Sequence, residues 1–155
     1  MTELLPELLI GEYPRLEDIG WLKTVHAVTA VHNLQDDDDL RLYGLDLASL
    51  TDTYARASIK MVRTPIPDGS ADQFSLHLER ALSDLNALTE AGERVYLHCN
   101  AGMNRAPTLA IAFLRAYRDM SLDQALKHVK QRRACGPFMT VLEDYFGARD
   151  LKPGE

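Results

Sequence analysis

Cysteine and tryptophan are scarce in this 155-residue chain: two cysteines, Cys99 and Cys135, and one tryptophan, Trp21. Two cysteines make no disulfide framework, so a disulfide-stapled secreted scaffold is not expected. Long apolar runs are missing as well, and none approaches the roughly 20 residues that cross a bilayer. The first ten residues carry Glu3 and Glu7 where a secretory signal is basic. A cytoplasmic protein is therefore the expectation. Positive charge is in deficit, with 17 Lys and Arg against 23 Asp and Glu and a formal net charge of −6. Nucleic-acid phosphates and anionic membranes repel such a surface, so neither is expected as a partner. Repeats, low-complexity tracts and Pro/Gly/Ser-rich linkers are absent. His26, His32, His77 and His128 have no metal-ligand spacing, so surface or satisfied positions are expected for them.

The composition that remains is that of a globular protein, 46% apolar and 26% charged. The length suits a single domain over residues 1–155. Segments 27–33, 60–64 and 94–98 read as strands, with a weaker one at 8–10. Helical patterns lie between them. Leu16, Ile19 and Leu22 mark one, and Leu47, Leu50 and Tyr54 another. Phe74, Leu78, Leu82 and Leu85 draw an apolar stripe along a long helix. After residue 98 the pattern is almost all helical, with a capping box at Ser121 and Gln124. Strands alternating with helices predict an α/β fold, a central mainly parallel sheet of four to five strands flanked by helices. The run Asp36-Asp37-Asp38-Asp39 reads as a solvated loop, because adjacent carboxylates repel.

Chemistry concentrates in Val95-Tyr96-Leu97-His98-Cys99-Asn100-Ala101-Gly102-Met103-Asn104-Arg105-Ala106-Pro107. This is strand, short loop, helix, and Pro107 suits a first helical turn. Backbone N–H groups of Asn100, Ala101, Gly102, Met103 and Asn104 can converge into an anion cradle at the helix N-terminus. Arg105 adds a planar fork for two phosphate oxygens. A field that holds phosphate also favours thiolate over thiol at Cys99, which makes it a candidate nucleophile. His98 is expected to support the loop by hydrogen bonding rather than to react. A general acid is needed for the leaving oxygen. Asp68, in Pro67-Asp68-Gly69, is the candidate, although those residues also favour a plain turn. Asp72 is held in reserve.

Cys-x5-Arg with a preceding His resembles the signature of the cysteine-dependent phosphatases, and Asp68 matches the acid position of the dual-specificity phosphatases. Within that superfamily, Cys99-Asn100-Ala101-Gly102-Met103-Asn104-Arg105-Ala106-Pro107 is similar to the Cys-x-Ala-Gly-x-Gly-Arg motif of the glucan phosphatases, the plant starch-excess enzymes and laforin. Asn33-Leu34-Gln35-Asp36, Leu42-Tyr43-Gly44-Leu45-Asp46 and Arg133-Ala134-Cys135-Gly136-Pro137 look like further segments of that family. The resemblance implies a dual-specificity phosphatase-like fold. It also implies hydrolysis of phosphate monoesters on starch- or glycogen-like chains through a cysteinyl phosphate, without a cofactor. The chain leaves no length for a separate carbohydrate-binding module. Glucan would then be held by aromatics at the site, and Tyr43 falls where the relatives carry such a platform. An ordinary half-buried loop tyrosine is the alternative there; Phe74 and Phe138 are expected in the core. Asn104 stands where the motif has Gly, and Asn suits a left-handed position if one is required. Ala106 replaces the Ser or Thr of many phosphatases, which predicts slower turnover. A protein or small-molecule phosphatase, and an inactive phospho-binding module, are the other readings.

Overall fold

The computed structural model describes all 155 residues. Five strands form one sheet: β1 (Thr2–Leu5), β2 (Leu8–Gly11), β3 (Ala30–Asn33), β4 (Lys60–Arg63) and β5 (Val95–His98), in the order β1-β2-β5-β3-β4. Only the β1–β2 hairpin is antiparallel. The other pairs are parallel, as expected. β1 escaped the sequence reading. Its four residues, Thr-Glu-Leu-Leu, alternate too briefly to signal a strand, and pairing with β2 stabilises it.

Seven helices cover the sheet: α1 (Ile19–Thr24), α2 (Asp37–Leu42), α3 (Leu47–Arg56), α4 (Ala71–Glu90), α5 (Arg105–Tyr117), α6 (Leu122–Lys130) and α7 (Met139–Phe146). The predicted stripe of α4 is buried at Phe74, Leu78, Leu82 and Leu85. Ser70 caps this helix by accepting the Gln73 N–H at 3.1 Å, and the capping box at Ser121 forms as read. One face of the sheet carries the larger core, 27 buried residues drawn chiefly from β2, β5 and α4–α7. The other carries ten, among them Ile19, Leu22, Leu50, Tyr54 and Tyr96. α5 lies at the centre and is buried throughout residues 105–115.

Two expectations are corrected. The strand read from residue 27 starts at Ala30, because Ala27 takes a left-handed backbone (φ 54°) that ends the preceding turn. The acidic run is not a loop. Asp36 caps α2 and accepts the Asp39 N–H at 2.9 Å, while Asp39 returns a carboxylate to the Asp36 N–H at 3.0 Å. Negative charge at a helix N-terminus is favoured by the helix dipole, which offsets the repulsion between neighbours.

Register places the site. Asn33 of β3 pairs with His98 of β5, so both strands stop at one edge. The segments leaving β3, β4 and β5 therefore meet there, at the carboxyl ends of parallel strands, where open α/β sheets bind ligands.

Candidate active site

β5 ends in His98 and passes into the loop at Cys99, which is buried. The carbonyls of residues 100–104 are all taken by partners outside the loop. Asn100 O accepts from the Tyr13 N–H (2.9 Å). Ala101 O and Gly102 O accept from Arg133 Nη2 (3.1 Å) and Nε (2.7 Å). Met103 O accepts from the Gly136 N–H (2.7 Å), and Asn104 O from the Thr108 N–H and hydroxyl. No backbone N–H from Asn100 to Asn104 donates within the chain. Five unspent donors whose own carbonyls are tied off, at the mouth of α5, supply what an anion cradle requires. Arg133 is the clamp, bridging to the Thr2 hydroxyl as well. Sequence reading singled out its segment but gave Arg133 no role.

Gly102 does not line the cavity; it makes the turn. Its φ is +69°, and a Cβ there would stand 2.6 Å from Gly11 O. Only glycine meets both demands. Position 104 does not need a left-handed backbone: Asn104 has φ −131°. The Asn104 side chain instead donates to Gly136 O at 2.7 Å, closing the seam that Met103 and Gly136 begin.

Arg105 opens α5 with a side chain only 1% exposed. Its Nη1 donates to Asp39 Oδ2 and to Ile66 O, both at 2.7 Å. Nε lies 3.3 Å from Asp68 Oδ1, within ion-pair reach but without hydrogen-bond alignment. Nε and Nη2 are buried with no hydrogen-bond partner. Half of the fork is anchored and half is free for oxygens of an anion. The Asp39 carboxylate also accepts from Asn100 Nδ2 (2.9 Å), and Gln35 Nε2 donates to Asn100 Oδ1 (2.9 Å). Burial pushes the Asp39 carboxyl up, but the bonds from Arg105 and Asn100 outweigh it and hold it below the usual range. Asp39 and Gln35 were missed as site residues. The Asp36-x-x-Asp39 capping spacing was the readable signal for a helix; the pairing with Arg105 had none.

Tyr43, Asp68, Cys99, Asn100, Ala101, Met103, Asn104 and Arg105 line one cavity of about 230 Å³. Tyr43 is 41% exposed at its rim. Its ring rests on Tyr13, centroids 4.7 Å apart, and Tyr13 is a rim residue that sequence reading did not find. Asp72 is in the first turn of α4, outside that lining. Phe74 is buried and Phe138 packs against the core, as expected. Position 106 is a fully buried alanine, which carries no hydroxyl. Cys99 and Cys135 are both free thiols, and burial pushes the Cys135 thiol up.

His98 lies under the loop. Its Nδ1 is 3.0 Å from Cys99 O and its Nε2 has no partner. Burial lowers its pKa to about 4, more than the bond to Cys99 O restores, so it is a neutral prop. His32, on β3, is likewise pushed down to about 4 by burial. Its Nε2 meets the Thr64 hydroxyl (2.7 Å), which donates to Asp84 (2.7 Å). Unfolded, both rings titrate near 6.5, so below that pH the unfolded chain binds protons that the folded chain refuses until about pH 4. Stability is complete above pH 6.5 and falls on acidification by about 1.4 kcal/mol per pH unit per histidine. Unfolding free energies from urea titrations at pH 7.5 and 5.0 should differ accordingly, by about 4 kcal/mol for the two rings. Equal values would show that these rings are not buried neutral.

Residues 9–143 match the family model for the dual specificity phosphatase catalytic domain. The chain is 28% identical over 153 residues to the amyloplastic phosphoglucan phosphatase DSP4 of Castanea sativa, covering 96% of this chain and 40% of that protein. It is 26% identical over 133 residues to the human dual specificity protein phosphatase 5, covering 86% of this chain and 31% of that one. It thus spans less than half the length of these relatives. Among solved structures, Tk-PTP in its active form superposes with a TM-score of 0.75 at 23% identity, covering 92% of this chain and 93% of that chain. With this fold and this cradle, the chain belongs to the dual specificity phosphatase catalytic domain family of cysteine-dependent phosphatases.

Proposed function

We propose that the protein removes phosphate monoesters from glucan chains through a cysteinyl-phosphate intermediate. The observation that carries the chemistry is the half-anchored Arg105 beside Cys99, under a loop whose N–H groups are all unspent. Cys99 thiolate attacks phosphorus as the bond to the sugar oxygen breaks. Arg105 and the N–H groups of Asn100, Ala101, Gly102, Met103 and Asn104 hold the equatorial oxygens. Asp68 gives its proton to the leaving oxygen. Water then attacks the phosphocysteine and returns a proton to Asp68; the P–S bond breaks, and phosphate leaves with the thiolate restored. Ala106 offers no hydroxyl to assist that second step, so it is expected to be slow.

The glucan assignment is supported by the phosphoglucan phosphatase relative, which spans nearly the whole chain, and by the tyrosine pair at the rim. Amphipathic rings suit sugar faces, which are apolar in the middle and polar at the edge. The second reading is a phosphoprotein or small-molecule substrate, favoured by the human dual specificity protein phosphatase relative.

Phosphate release from phosphorylated starch, an aryl phosphate and a phosphotyrosine peptide decides between them. The glucan reading expects starch to be cleaved with efficiency well above the peptide; hydrolysis of the peptide and aryl phosphate alone would move the substrate to a protein or metabolite. Asp68→Ala tests the acid. It should slow release from a sugar phosphate by about 10²–10⁴-fold, because an alkoxide leaves poorly without a proton. An aryl phosphate, whose leaving group needs less help, should lose far less. Equal losses on both would remove Asp68 from that role.

A further inference from the structure

The loop that carries Asp68 is closed at its base by one hydroxyl. Thr64 follows β4, Asp68 lies four residues on, and Ser70 caps α4. Asp84, on α4, returns to accept the Thr64 hydroxyl at 2.7 Å. That bond ties the strand entering the loop to the helix leaving it. A hydroxyl has one proton, and Thr64 gives it to Asp84. Its 2.7 Å contact with His32 Nε2 is therefore a bond it accepts, which makes His32 the Nε2–H tautomer. His32 is fully buried in β3, and Thr64 is buried against it. The hydroxyl is thus fixed from the sheet and from α4 at once.

Between Thr64 and Asp68 the chain is Pro65-Ile66-Pro67. Each proline fixes its own φ and confines the residue before it to extended backbone. Residues 64–67 therefore form a stiff arm, and turning its base swings its tip. Ile66 is its other hold: its N–H donates to Leu34 O (3.0 Å) and its carbonyl accepts from Arg105 Nη1 (2.7 Å). The Asp68 side chain is 55% exposed and meets Arg105 Nε at 3.3 Å outside hydrogen-bond alignment, so its aim comes from the arm.

We infer, on the reading of Asp68 as the acid, that Thr64 is the positioning residue for it, with His32 and Asp84 as the supports that fix its hydroxyl. Thr64 does not line the Cys99 cavity, so it acts only through the loop. Without the hydroxyl, His32 Nε2–H and the Asp84 carboxylate lose their shared partner, and the base of the arm relaxes. Misplacing a group by about 1 Å costs about 100-fold, and a smaller swing of an arm still held at Ile66 costs about tenfold.

Phenyl phosphate and 4-nitrophenyl phosphate test this, because phenolate needs a proton on leaving more than nitrophenolate does. Thr64→Val should lower kcat on phenyl phosphate about tenfold, with KM and 4-nitrophenyl phosphate turnover within about twofold. Thr64→Ser, which keeps the hydroxyl, should restore kcat. Asp84→Ala should repeat the Thr64→Val pattern from the opposite side; its partner Arg80 is 77% exposed, so no buried charge is stranded. Adding Thr64→Val to Asp68→Ala should cost nothing further, because the acid it positions is gone. Equal losses on the two substrates, or none on either, would overturn the role of Thr64 while Asp68→Ala still separates them. If Asp68→Ala fails to separate the two substrates, the acid reading falls, and the role of Thr64 falls with it.

Discussion

Cys99→Ser is expected to abolish phosphate release, lowering kcat on every substrate by about 10⁴-fold or more. A serine hydroxyl at neutral pH is not ionised and is a far weaker nucleophile than a thiolate. It is also a poor leaving group in the second step. The variant should still fold, since Cys99 is buried at the end of β5 and the exchange changes little volume. It should still bind anions, because the loop N–H groups and the free side of the Arg105 fork are untouched. Vanadate or tungstate titration of the inactive variant checks that half of the expectation. Turnover within tenfold of wild type would rule out a covalent mechanism at Cys99.

Asp39→Asn should cost both stability and activity. Asp39 is an acceptor only: one oxygen receives Arg105 Nη1 and the Asp36 N–H, the other receives Asn100 Nδ2. An amide at that position points N–H groups at a donor on one side or the other. Arg105 then loses its buried counter-charge, in a pair whose side chains are 1% and 6% exposed. Breaking such a pair costs about 3 kcal/mol or more. The fork would also be released from its angle, and misplacement by about 1 Å near the reacting atoms costs about 100-fold in rate. Urea unfolding and kcat/KM on an aryl phosphate measure the two effects. Stability within about 1 kcal/mol of wild type, with unchanged kcat/KM, would show that Asp39 does not hold Arg105.

Cys99, Arg105 and the loop between them were legible because their spacing is local. A strand, a five-residue loop and a helix are continuous in the chain, so chemistry and geometry share one short segment. The parallel sheet and the α4 stripe were legible for a similar reason, since hydrophobic periodicity records which side of each element faces the core. Asp39 was not legible. Its place in an acidic run suggests a solvated surface, and only the alignment of β3 with β5 carries it under Arg105, 66 residues away. Arg133 was opaque in the same way, because a surface-rich Gln-Arg-Arg segment gives no sign that its fork will clamp two loop carbonyls.

By itself, then, the amino-acid order determined most of the elements, the buried stripe of α4 and the placing of the Cys99 thiol and the Arg105 guanidinium at the two ends of one short loop, all matters of periodicity and short-range spacing. Tertiary structure alone decided what holds that guanidinium, what ties off the loop's carbonyls, and which aromatic rings border the cleft. Those contacts join residues from distant segments. They exist only when the parallel strands end in register and bring the loops together at one edge of the sheet.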